Sequence, residues 1–226
     1  ASGTIDGLIA GNQYIITVCA QGVDSSKKAF LGEVSNYVSG KTTGTKISGI
    51  KASKRKNTSL TLSWYLIDGC ESYNIFKYDA QSNEYQFIGQ TFNNQNTFKV
   101  IGLKDASEYK FKVRANKANV ACEESDVFST VTTPKRVSNK SVKSRSRRKI
   151  TYSFKKVNAT GYEYQWSTHR NFKYNFKTKT TKSTRVTIKT AQSRKRYYVR
   201  VRAYKLDENK NKVYGSWSKV KRVKVR

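Results

Sequence analysis

The side chains that most often carry chemistry are thinly spread through these 226 residues. His169 is the single histidine, and it stands beside Arg170 with no cysteine or carboxylate at ligand spacing. A zinc site or a histidine-based nucleophilic centre therefore lacks its parts. Cys19, Cys70 and Cys122 are far apart in the chain. Glu123-Glu124-Ser125-Asp126 is acidic but lacks the alternating spacing of a calcium loop, so it reads as a solvated loop. No Gly-rich phosphate loop, nucleophile elbow or spaced carboxylate pair is visible. The expectation is a chain without catalytic residues, metal or cofactor, and not an enzyme. What it holds in excess is positive charge: 45 Lys and Arg against 15 Asp and Glu, a formal +30.

The elements that position these residues repeat. Tyr14-x-Ile16-x-Val18-x-Ala20, Tyr109-x-Phe111-x-Val113-x-Ala115 and Tyr197-x-Val199-x-Val201-x-Ala203 alternate apolar and polar positions, the signature of strands with one buried face. Six residues before each tyrosine stands Leu8, Leu103 or Ala191. Leu60-Thr61-Leu62-Ser63-Trp64 matches Ile150-Thr151-Tyr152-Ser153-Phe154, and Ser35 to Thr43 matches Ser125 to Thr133, all at a period near ninety residues. Turn-rich stretches separate short strands, and no segment shows a sustained helical stripe. The reading is all-β, with about seven strands per repeat. No apolar run approaches the length of a membrane helix, and the absence of methionine suits a processed or excised part of a longer protein.

This pattern resembles a tandem of fibronectin type III domains. Trp64 matches the family's buried tryptophan on the second strand, with Phe154 substituting for it in the last repeat. Leu8/Tyr14 and Leu103/Tyr109 match its tyrosine corner. The run Tyr197 to Tyr204, followed by Tyr214-Gly215-Ser216-Trp217-Ser218, is similar to modules of secreted and wall-attached proteins of Gram-positive bacteria. The resemblance implies tandem immunoglobulin-like β-sandwiches: residues 1–44 as the C-terminal half of a truncated domain, then a domain over 45–134 and a strongly basic one over 135–226. The first piece has only strands E (its end), F and G, which leaves apolar side chains such as Ile5, Leu8 and Val18 without a partner sheet. The chain is cut in mid-domain, or another chain supplies the missing half. Junctions fall at Thr42 to Thr45 and Thr132 to Lys135.

Charge is unevenly shared. Residues 1–44 are neutral and 45–134 carry +3, whereas 135–226 hold 30 cations against Glu163, Asp207 and Glu208, a net +27. In the implied topology the AB, CC′ and EF loops of the last domain share one pole. That pole would gather Arg145, Arg147, Arg148 and Lys149 with Arg170, Lys173, Arg194, Lys195 and Arg196, while Arg200 and Arg202 occupy the outer face of strand F. These eleven are the candidate polyanion-binding residues. The same topology places Cys70 in the BC loop and Cys122 in the FG loop at one end of the middle domain, where a disulfide is geometrically open. Two unpaired thiols are the alternative. The expected function is non-enzymatic: extracellular spacer and interaction modules of a larger secreted, cell-wall or cell-surface protein, in the class of adhesion modules. The alternative is anchoring, through the basic domain, to an anionic cell-surface polymer or glycan such as teichoic acid or a sulfated glycan. Nucleic acid is the weaker polyanion, since no groove-reading helix or RNA-recognition motif is present. Other domains of the same longer protein are the remaining expected partners.

Overall fold

The computed structural model describes residues 2–9, 12–42, 44–117, 120–190 and 192–226, with the backbone alone at 120 and 121. Thr43 at the first junction and Ala191 of the third tyrosine motif lie outside the described residues. All regular structure among the described residues is β. Two compact units are present: one of residues 1–50, 64–96 and 112–126, the other of 51–63, 97–111 and 127–226.

In the first unit, β1 (Gln13–Ile16) pairs antiparallel with β4 (Val38–Lys41), and β2 (Cys19–Val23) with β3 (Ala29–Val34). The Tyr14 hydroxyl accepts the Ile9 N–H at 2.7 Å, closing the predicted tyrosine corner. Val18, Leu31, Val34 and Val38 are exposed, as expected of strands that lack a facing sheet. The same unit holds the hairpin of β7 (Ser72–Asp79) and β8 (Glu84–Phe92). Trp64, Tyr73 and Ile75 are buried there, with the Trp64 and Tyr73 rings 5.5 Å apart.

In the second unit, β5 (Lys51–Ser53), β6 (Leu60–Ser63) and β9 (Thr97–Val100) form a three-stranded sheet in the order β5-β6-β9. Leu60, Leu62 and Val100 are buried on it. Strand β10 (Glu108–Lys117) begins in the second unit, where it pairs with β12 (Phe128–Val131), and continues into the first, where it neighbours β7 and pairs with β11 (Val120–Glu124). Phe111, Val113 and Ala115 are fully buried. Tyr109 was expected in the core but is half-buried, because its hydroxyl accepts the Lys104 N–H at 2.7 Å and stays at the rim.

The last repeat lies within the second unit. Strands β13 (Asn139–Lys143), β14 (Lys149–Phe154) and β17 (Arg185–Lys189) form one sheet. The other has the order β16 (Phe176–Thr181), β15 (Gly161–Ser167), β18 (Arg196–Leu206), β19 (Lys212–Tyr214), with β20 (Lys221–Lys224) also on β18. Both sheets feed one core, which includes Ile150, Tyr152, Phe154, Tyr162, Tyr197, Val199 and Val201. Each fully buried side chain of this size stabilises the fold by about 1.5–3 kcal/mol relative to an exposed one.

One hydrogen-bond device recurs in all three repeats. Ser35 and Val18, Ser125 and Val113, and Ser218 and Val201 exchange the same pair of bonds: the serine N–H donates to the valine carbonyl, and the valine N–H donates to the serine hydroxyl. Each serine follows the first half of a split G strand. The device keeps the strand F backbone satisfied where the ladder is interrupted.

Candidate functional site

The cationic pole of the last repeat is built by backbone hydrogen bonds among three segments. The turn before β14 meets the segment after β17 through Thr190 N–H to Arg148 O (2.9 Å). The C-terminal residues close over both: Arg148 N–H donates to Arg226 O at 3.1 Å, Arg194 N–H to Val225 O at 2.9 Å, and Val225 N–H to Lys195 O at 2.9 Å. Arg226 N–H also reaches the Ser144 hydroxyl at 3.1 Å. Arg145, Arg147, Arg148 and Lys149 are thereby brought to the same end as Arg194, Lys195 and Arg196, and all seven are exposed.

Sequence reasoning missed three neighbours. Lys189 lies opposite Lys149 and Lys224 opposite Arg196 in the ladders, and Arg226 is tied to the turn. The signal was available, because the ends of strands B, E and G reach the same pole as the AB and EF loops. Segments 144–149, 190–196 and 224–226 contain no acidic side chain, so the fields of their cationic side chains add.

Arg170 and Lys173 lie on the loop between β15 and β16 and are exposed. This loop is held in shape. The Ser167 hydroxyl donates to Tyr174 O and Asn175 O at 3.2 and 3.1 Å and accepts the His169 N–H at 3.0 Å. His169 itself is exposed. Phe172, which the sequence leaves among cations, is 4 % exposed with φ of 55°. A phenylalanine in the left-handed region needs compensation, and here the guanidinium of Arg200 stacks 4.2 Å from its ring centroid.

Arg200 and Arg202 do lie on the outer face of β18, but inside a stack. Trp217 stands between them, its ring 4.3 Å from Arg200 and 4.4 Å from Arg202, and Tyr214 lies 3.6 Å from Arg202. Glu163 closes the far side, with Arg202 at 2.7 Å and the Tyr214 hydroxyl donating at 2.8 Å. Arg200 Nε donates to Gln165 at 2.8 Å. Burial, then the neighbouring Arg202 charge, pulls the Arg200 pKa down, partly offset by Glu163. These two arginines order the sheet face, whereas the seven at the pole project into solvent.

In the first unit Cys122 is buried on β11, in a strand where the sequence suggested a loop. Cys70 is half-buried just before β7. Both are free thiols, yet they are close enough to interact. Burial pushes the Cys70 thiol up, and the Cys122 thiol beside it adds to the rise. A Cβ added at Gly44 would fall 3.1 Å from Cys122 Sγ, so Gly44 packs on Cys122. Of the acidic run, Glu124 pairs with Lys112 at 2.9 Å and Asp126 with Lys46 at 2.6 Å.

The strand order A-B-E in one sheet and C′-C-F-G in the other, with a split G strand, recurs in β5 to β12 and in β13 to β20. These are tandem fibronectin type III-like modules. No family model and no curated protein matches the chain. Among solved structures, a two-domain fibronectin type III segment of chicken tenascin is similar at 14% identity, covering 79% of this chain and 99% of that one, with a TM-score of 0.45. The FN1–FN3 domains of chicken CNTN1 are similar at 14% identity over 91% of this chain and 76% of that one, TM-score 0.44. The sixth type III domain of human fibronectin type III domain containing protein 3 aligns at 20% identity over 39% of this chain and 84% of that one, TM-score 0.33. The type III-like assignment rests on strand order and register.

Proposed function

We propose that this chain is a non-enzymatic string of extracellular interaction modules, and that the repeat over 135–226 attaches it to an anionic polymer at a cell surface, such as a teichoate or a sulfated glycan. The reading is supported by one observation above all: backbone bonds clamp Arg148, Thr190, Arg194, Lys195, Val225 and Arg226 together, so that exposed cations converge in segments without an acidic side chain. Point charges of this kind release condensed counterions from a polyanion and make binding steeply salt-dependent. They need no pocket and tolerate polymers of different backbone.

The test is retention of the whole chain on heparin and teichoate matrices. Replacing Arg194, Lys195 and Arg196 by Gln keeps side-chain bulk while removing three charges. The expected result is elution at lower salt, with a salt-dependence slope smaller by roughly two to three units on a double-logarithmic plot. Elution unchanged by the triple substitution would return these cations to a solvated surface and leave the modules as spacers.

A further inference from the structure

We propose that the outer sheet face of the last repeat carries a discrete cleft for one acidic sugar residue, formed by Arg170 and Arg222 over Tyr198; this deepens the polymer-binding reading and rests on it for the choice of ligand. Tyr198 and Arg222 are directly opposed in the β18–β20 ladder. Val199 and Val201 are core residues and Val223 packs against the core, so both Tyr198 and Arg222 face outward. Opposed positions of an antiparallel pair hold their Cβ atoms about 5 Å apart. Arg170 reaches the same place from the β15–β16 loop, and with Val220 these side chains line a cleft of about 240 Å³.

Two properties separate this cleft from the pole. It is preorganised: the loop that carries Arg170 is fixed by the Ser167 bonds and by Phe172, buried beneath Arg200. Little backbone freedom is lost when Arg170 engages a ligand. It also combines two guanidinium forks with an aromatic floor and an aliphatic wall. Guanidinium pairs recognise carboxylate, sulfate or phosphate oxygens in a fixed geometry, and a half-buried tyrosine beside a valine offers a face to the C–H edge of a sugar ring. An unbranched inorganic anion would use only the first of these.

The test titrates the whole chain, by calorimetry, with a fully sulfated heparin disaccharide, the same disaccharide without sulfates, and inorganic sulfate. The sulfated disaccharide is expected to bind saturably at one site per chain and at least tenfold tighter than either of the others. Arg170→Ser with Arg222→Ser should weaken it at least tenfold. Lys155→Ser with Lys156→Ser, which removes equal charge from exposed positions after β14, should change it less than twofold. Polymer retention is measured on the same proteins. A chain that holds heparin but shows no saturable disaccharide site, or loses it equally in both double variants, overturns the cleft while leaving the polymer reading intact. Sulfate binding as tightly as the disaccharide overturns the sugar. A disaccharide site lost in the arginine pair but without polymer retention sustains the cleft and removes the anchoring role. Absence of both kinds of binding overturns both.

Discussion

Tyr152 shows how one side chain couples the last repeat to pH. Its ring is fully buried, its hydroxyl is bonded to Asn139, and burial pushes its pKa up to about 12, with the Ser218 hydroxyl acting weakly in the opposite sense. The folded state therefore holds the phenol proton more tightly than the unfolded chain, whose tyrosine titrates near 10. The resulting stability is fully present below about pH 10 and is lost as pH rises from there toward 12, to the extent of about 2 to 3 kcal/mol. Denaturant midpoints measured across that window should fall in the wild type and stay flatter in Tyr152→Phe. Lysine deprotonation acts on both proteins alike, so parallel curves would dismiss the phenol. The thiols make a second prediction. With glutathione disulfide as oxidant, Cys70 and Cys122 each give up a proton and together two electrons, the oxidant leaves as two thiols, and the chain loses about 2 Da. The loop so closed contributes roughly 4 kcal/mol in the chain-entropy model. Peptide mapping without reductant should recover a 70–122 cross-link, and continued alkylation of both cysteines under oxidant would refute it. Cys19, whose thiol donates to Gly32 O at 2.9 Å on β2, remains alkylatable.

Among the elements, the split G strand of the last repeat is the one with most consequence. Between β19 and β20 the chain leaves the ladder over Gly215 to Val220, and Ser218 restores the lost bonds through Val201. Gly215 approaches Pro134 so closely that a Cβ there would lie 2.5 Å from the Pro134 carbonyl oxygen. That excursion carries Trp217 onto the outer sheet face, between two guanidiniums that would otherwise repel each other. Each cation–π contact contributes about 0.5–2 kcal/mol, depending on desolvation. Trp217→Ala should therefore lower stability by about 2 kcal/mol in denaturant titration and free Arg200 and Arg202 toward solvent. Because Arg200 covers Phe172, the same change should loosen the Arg170 loop, read as increased amide exchange at residues 169–175. Exchange unchanged there would show that the loop is held by Ser167 alone.

For the whole molecule, charge is distributed against stability. A net +27 sits on 92 residues, while the preceding repeat of the same strand order carries +3. Like charges crowded at one pole destabilise the compact state, and salt shortens their reach to about 8 Å at physiological strength and about 3 Å at 1 M. The thermal midpoint of the chain should rise as salt increases from about 0.02 M to 0.5 M, and a soluble polyanion should produce the same rise at far lower ionic strength, since it binds the folded state. Scanning calorimetry decides it. A midpoint insensitive to salt would mean that the repulsion is already relieved within the fold.

The tandem arrangement was legible in the sequence because strand alternation, the tyrosine corners at Tyr14 and Tyr109 and the ninety-residue period are local signals that need no partner to be read. Burial followed from the same alternation at Leu60, Leu62, Phe111, Val113, Val199 and Val201. The cations of the AB and EF loops could be assigned to one pole for the same reason, once strand order was known. Tertiary structure decided what those signals leave open. Arg200 and Arg202 read as free outer-face charges until Trp217, fifteen or more residues away, arrived between them by a bulge. Phe172 read as a loop aromatic until Arg200 buried it, and Lys189, Lys224 and Arg226 joined the pole only through cross-strand register and a closing C-terminus. Periodicity along a strand fixes which face a residue takes. Which distant side chain meets it there depends on register and bulges, which are set by bonds between strands.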